Sequence, residues 1–147
     1  MAKPSLISEL LLEVLRLSGQ VSVAGDGLFA DLRLSTARWQ VVEAIAAAGG
    51  ATVSDLARTL GVSRQAVQRI VNDMRADGLV WTSANPNHRR SPLIQLTGNG
   101  ARARELAAER QKAWAEALGA DLPGAKVARM TERLRRLRRR LEAAKAG

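Results

Sequence analysis

Cysteine and tyrosine are absent from this 147-residue chain, phenylalanine occurs once, at Phe29, and histidine once, at His88. Without cysteine there is no disulfide, no thiolate metal ligand and no thiol nucleophile. A single histidine does not build a metal centre of the usual His/Cys/carboxylate spacing, and no Ser-His-acid grouping has supporting context. The glycine-rich stretch Gly98-Asn99-Gly100 lacks the strand-loop-helix setting and the lysine of a phosphate-binding loop. No apolar run approaches the roughly 20 residues of a membrane span. The apolar N-terminal stretch carries Glu9, Glu13 and Arg16, which the apolar segment of a secretory leader would not. The expectation is a cytoplasmic protein with no membrane association, no metal, no cofactor and no catalytic role.

With only Phe29, Trp39, Trp81 and Trp114 as aromatic residues, the core must come from Leu, Val, Ile and Ala. Leu and Ala are strong helix formers, so the fold is expected to be mainly helical. The formal net charge is +9. A balance of that size favours a polyanionic partner, nucleic acid before an anionic membrane surface. The plainer alternative is a soluble chain whose basic residues are merely solvated.

Punctuation divides the chain into short elements. Pro4 suits the start of a helix, and Ile7, Leu10, Leu11, Val14, Leu17 and Val21 recur at helical spacing to about Leu32, with a break expected near Gly25-Asp26-Gly27. Ser35 or Thr36 caps a second helix bearing Trp39, Val42 and Ile45, which Gly49-Gly50 ends. Thr52, with Asp55 as its capping partner, opens a short helix over 53–60 that Gly61 stops. Ser63 caps the next helix, which carries Val67, Ile70, Val71 and Met74 and runs to Asp77 before Gly78. Leu79 to Thr82 and Leu93 to Thr97 read as two strands around a polar loop, Ser83 to Pro92. Two more helices are expected, about 98–118 and 126–144.

Three short helices followed by a basic hairpin is the order of a winged helix-turn-helix. Ala57 is small where the paired helices would cross, Gly61 sits in the turn, and Leu56, Leu60, Val62, Val67 and Ile70 fill the slots of a small core. With the apolar residues of the fourth helix turned inward, its outer face holds Arg64, Gln65, Gln68, Arg69 and Asn72. Arginine reads guanine, and Gln or Asn reads adenine, through paired contacts in the major groove. The first turn enters deepest, so Arg64, Gln65 and Gln68 are the expected base readers, and Ser63 and Arg69 the expected phosphate contacts. Arg89 and Arg90 at the hairpin tip suit the minor groove or the backbone.

The last helix is a second basic region. Between Lys126 and Lys145 lie nine basic residues against Glu132 and Glu142, which is +7 of the chain's +9. Met130, Leu134, Leu137 and Leu141 follow at 4-3-4 spacing, a seam that suggests packing against another helix. The arginines around it are expected to solvate the outer face of a dimer helix, with electrostatic steering of DNA as a by-product, and phosphate binding is the alternative.

The element order, the run from Leu79-Val80 through Asn85-Pro86-Asn87-His88-Arg89-Arg90, and the segment Leu96-Thr97-Gly98-Asn99-Gly100 together resemble the MarR family of bacterial transcription regulators. Asp55-Leu56-Ala57 with Ser63, Val67 and Ile70 agrees. One departure stands in the wing, where the family usually has Asp-x-Arg. Here Arg90 is kept and His88 replaces the carboxylate, which leaves the wing geometry open. The resemblance implies a homodimer held by N- and C-terminal helices, with Leu10, Val14 and Leu17 and the seam Met130, Leu134, Leu137 and Leu141 as interface. It divides the chain into an N-terminal dimerisation helix (1–34), a DNA-binding lobe (35–100) and C-terminal dimerisation helices (101–147). It also implies a ligand-responsive repressor on a pseudo-palindromic duplex DNA site. A small aromatic or acidic ligand would then lie in a crevice of Leu28, Phe29, Leu32, Trp39 and Val42 with Arg33 or Arg38, residues equally suited to an ordinary core. The competing readings are a non-specific or architectural nucleic-acid-binding protein and a winged-helix module that binds another protein.

Overall fold

The computed structural model describes residues 1–145. Helix α1 (Pro4–Phe29) leads through a single 3-10 turn (Ala30–Leu32) into α2 (Thr36–Ala48), α3 (Val53–Leu60) and α4 (Arg64–Ala76). Strands β1 (Val80–Ser83) and β2 (Leu93–Leu96) form an antiparallel hairpin with Val80 opposite Leu96, and α5 (Gly98–Leu118) and α6 (Gly124–Lys145) follow. The fold is mainly helical with one hairpin, a winged helix-turn-helix. The last helix begins two residues before the expected start, and each strand is set within a residue of its expected place.

The caps act where the sequence puts them. The Ser35 hydroxyl accepts from the Arg38 amide, Thr52 from Asp55 and Ser63 from Ala66, each at 3.1 Å. Each hydroxyl satisfies one amide that has no partner inside its helix. At Thr52 the exchange is mutual, because its own amide donates to Asp55 Oδ2 at 3.2 Å. Asp55 is thereby held below the usual carboxylate range, first by the Thr52 amide and then by the Thr52 hydroxyl. Gly61 ends α3 at φ +70°, a conformation glycine adopts without steric cost.

The chain divides into two units, Met1–Gln111 and the segment from Lys112 onward. The core of the first draws Phe29, Val41, Val42 and Ile45 from α1 and α2, Leu56 and Ala57 from α3, and Val67, Val71 and Met74 from α4. The hairpin region adds Leu79, Val80 and Ile94, and α5 adds Ala103 and Ala107. Each large aliphatic side chain buried there contributes about 1.5–3 kcal/mol. Ile94 ties β2 to the loop after α2 through paired backbone bonds with Ala51, at 2.7 and 3.2 Å. In the second unit α6 is exposed along its described length except at Leu137, which is half-buried. Among the described residues no helix is long and apolar enough to cross a membrane.

Two expectations are corrected. The glycines at 25 and 27 do not break α1. Gly25 is buried where α2 begins, and a Cβ there would fall 2.2 Å from Thr36 Oγ1. Thr36 crosses that gap. Its hydroxyl donates to the Ser22 carbonyl at 2.8 Å and its amide to Asp26 Oδ1 at 2.7 Å. The glycine therefore permits close approach rather than a kink. Val62 leaves the core, with 45% of its surface exposed, because its amide follows Gly61 in turning back to Ala57 and directs the side chain outward. Leu60 and Ile70 are half-buried at the core's edge.

Candidate nucleic-acid interface

The outer face of α4 follows from its inner one. Val67, Val71 and Met74, spaced four and three apart, are fully buried, so the opposite side of the helix is free. Ser63, Arg64, Gln65, Gln68, Arg69 and Asn72 are all exposed there. Gln68 Nε2 donates to Asn72 Oδ1 at 2.9 Å, a one-turn pair that pre-orients two amides. Their separation by four residues is the signal by which the pair is legible in the sequence. Among the described residues no carboxylate stands in ion-pair range of Arg64 or Arg69. Elsewhere in the first unit Arg38, Arg58, Arg104 and Arg110 are all paired. The cations of the α4 face are thus available to an outside anion.

The hairpin tip is folded by Asn85. Its Oδ1 accepts from the Asn87 amide at 3.0 Å, its Nδ2 donates to the Ser91 carbonyl at 2.9 Å, and its carbonyl accepts from the His88 amide at 3.2 Å. An Asx turn of this kind is what an Asn before Pro favours. It carries His88, Arg89 and Arg90 outward, all exposed, and among the described residues neither arginine has a carboxylate partner. Trp81 on β1 is half exposed, opposite Gln95. No contact role is read for it from the sequence, although the in-out alternation of a strand turns it outward once Val80 is buried.

The C-terminal end of α4 is held by charge. Arg38 Nη1 donates to Asp77 Oδ2 at 2.7 Å and to the Arg33 carbonyl at 2.9 Å. Arg33 itself sits at φ +57° and reaches Asp77 at 3.9 Å. Farther along, Arg110 Nη2 donates to Asp31 Oδ2 at 2.8 Å and Nη1 donates to the Leu28 carbonyl at 3.2 Å. The hydrogen bond from Arg110 holds the Asp31 carboxyl below its ordinary range, and Asp31 in turn raises Arg110.

Of the crevice residues, Phe29 and Val42 are fully buried, and Phe29 packs on Trp39 with ring centroids 5.3 Å apart. Leu28, Leu32, Trp39 and Arg38 are half-buried. A cavity of about 390 Å³ takes in Leu32 and Arg33 from this set, with Asp77, Leu79 and Arg102 among its other walls. Of the interface residues, Leu10, Leu17, Met130, Leu134 and Leu141 are exposed, and Val14 and Leu137 are half-buried.

The sequence profile of the MarR family matches residues 34–91, from two residues before α2 to within the hairpin loop. The chain belongs to the MarR family of transcription regulators. It is 39% identical over 104 residues to an uncharacterized protein of Mycobacterium tuberculosis H37Rv, covering 71% of this chain and 72% of that one. It is 31% identical over 111 residues to the transcriptional activatory protein BadR of Rhodopseudomonas palustris, covering 74% and 63%. The crystal structure of CouR from Rhodococcus jostii RHA1 bound to p-coumaroyl-CoA superposes with a TM-score of 0.80 at 23% identity, over 92% of this chain and 96% of that one. MarR-type architecture thus extends beyond the matched span to nearly the whole chain.

Proposed function

We propose that this MarR-family regulator is a sequence-specific repressor that binds duplex DNA as a homodimer, with Ser63, Arg64, Gln65, Gln68, Arg69 and Asn72 in the major groove and Arg89 and Arg90 on the flanking minor groove or backbone. The observation that carries this reading is the exposed face of α4, where arginines with no carboxylate partner among the described residues alternate with amides on a helix whose other side is sealed into the core. Arg64, Gln65 and Gln68 read base edges, Ser63 and Arg69 hold phosphate, and the wing adds sequence-independent affinity. Two copies place two such helices one duplex turn apart on a pseudo-palindromic site.

Selection of bound fragments from the source genome tests the reading, and it fails if no sequence is enriched. On an enriched site, Arg64→Ala or Gln68→Ala is expected to cost about 1–3 kcal/mol of binding and to relax preference at one base position. Arg90→Ala is expected to weaken all sequences alike and to reduce the slope of log affinity against log salt by about 1. A reporter behind that site should rise when the regulator is removed. A fall would make this protein an activator, as BadR is described to be.

The repressor is proposed to release DNA on binding a small aromatic or acidic ligand near Leu28, Phe29, Leu32, Trp39 and Val42, with Arg33 or Arg38 meeting its acid. The cavity at Leu32 and Arg33 and the ligand carried by CouR support this. Displacement of the protein from its DNA by a panel of aromatic acids tests it.

A further inference from the structure

The ion pairs of α6 divide its seven arginines into two sets. Glu132 holds Arg135 at 3.6 Å and Arg139 at 3.0 Å, and Glu142 holds Arg138 at 3.7 Å. Among the described residues no carboxylate stands in ion-pair range of Arg129, Arg133, Arg136 or Arg140, and all four are exposed. They follow one another at spacings of four, three and four. At 3.6 residues per turn they share one narrow face and run about 16 Å along the axis. Met130, Leu134, Leu137 and Leu141 repeat that spacing one residue on, so the apolar row runs beside the arginine row about a quarter turn away.

Two consequences follow. Burying the apolar row against another helix leaves the arginine row facing water. And like charges one turn apart repel, while Glu132, which stands within one turn of both Arg129 and Arg136, pairs with Arg135 and Arg139, and Glu142 pairs with Arg138. The row presents four guanidiniums that make no ion pair or side-chain hydrogen bond among the described residues. A 16 Å length of duplex carries about nine phosphates, and the planar fork of arginine grips a phosphate with two donors. From this we propose that Arg129, Arg133, Arg136 and Arg140 form a second, sequence-independent phosphate-binding surface for duplex DNA, in addition to α4 and the hairpin. A lipid surface suits the row less well. An interfacial helix buries its apolar face in the lipid, and here that face, Met130, Leu134, Leu137 and Leu141, is the row offered to another helix.

The test uses the full chain, in a background of Arg64→Ala and Arg90→Ala, on a long random-sequence duplex. Changing the row to glutamine (R129Q, R133Q, R136Q, R140Q) is expected to lower the salt slope by about 3–4 per protomer. Lysine at the same four positions should retain the slope. Neutralising the paired set (R135Q, R138Q, R139Q) should lower it by about 1 or less. Circular dichroism and sedimentation check that the variants keep their helix content and mass. Should the glutamine row unfold, the single reversal Arg136→Glu must still lower the slope. An unchanged slope in the glutamine variant overturns the proposal. So does an equal loss from the paired set, since net charge alone would then act. So does a row that holds phosphatidylglycerol vesicles while leaving the duplex slope unmoved. Failure of the operator reading is separate, because it appears as loss of sequence preference with the effect of the row intact.

Discussion

Thr97 and Gly100 show how a short sequence pattern is built from single contacts. The Thr97 hydroxyl donates to the Gly78 carbonyl at 2.6 Å and accepts from the Gly100 amide at 3.0 Å. One side chain thus caps α5 and pins it to the turn after α4. Gly100 then passes so close to the Leu79 carbonyl that a Cβ would stand 2.1 Å from its oxygen. That neighbour is backbone and has little freedom to yield. Gly100→Ala is expected to cost about 3 kcal/mol, at the upper end for overpacking, measured by urea unfolding. Gly98, two residues earlier, meets nothing within 4 Å. Gly98→Ala should leave stability unchanged or raise it by up to about 1 kcal/mol. Equal losses at the two positions would show that helix propensity, and not the approach to Leu79, governs the site.

At the level of elements, α3 depends on its cap. It has only eight residues, too few to be stable alone. Thr52→Ala is expected to cost about 1 kcal/mol. The sign of the pH dependence follows from the direction in which Asp55 is shifted. Its carboxyl is held low in the folded chain, so its contribution is present above the unfolded carboxylate value, about 3.9, and is lost as pH falls through the lower folded value. Asp55→Asn should therefore be less stable than the parent at neutral pH, and the gap should narrow on acidification below about pH 4. A gap that stayed constant from neutral to acid, in thermal unfolding followed across pH, would assign the loss to shape instead of charge.

For the whole molecule, the exposed leucines set the question of assembly. Leu17 and Leu141 are each 58% exposed, and both lie in apolar rows on long helices. A second copy covering these rows would remove them from water and place two α4 helices on one duplex. Leu134→Asp with Leu141→Asp is expected to yield a monomer by sedimentation and to abolish binding to a palindromic site. A monomer that still bound the full site with parental affinity would separate DNA recognition from assembly.

The sequence by itself determined the elements, the caps and the outward set on α4. Ser35, Thr52, Ser63, Gly49, Gly61 and Gly78 act on neighbours within a few residues, and the spacing of Val67, Val71 and Met74 is a property of one helix. Such signals are complete in a local stretch of chain. Only the tertiary structure decided that Gly25 is a crossing point, that Val62 faces water, and that Arg38 reaches 39 residues along the chain to Asp77. Those outcomes rest on how segments distant in sequence meet, and no local period encodes that meeting. The same limit separates the two arginine sets of α6. Their spacing is visible in the chain, but which of them Glu132 and Glu142 hold is settled by side-chain geometry.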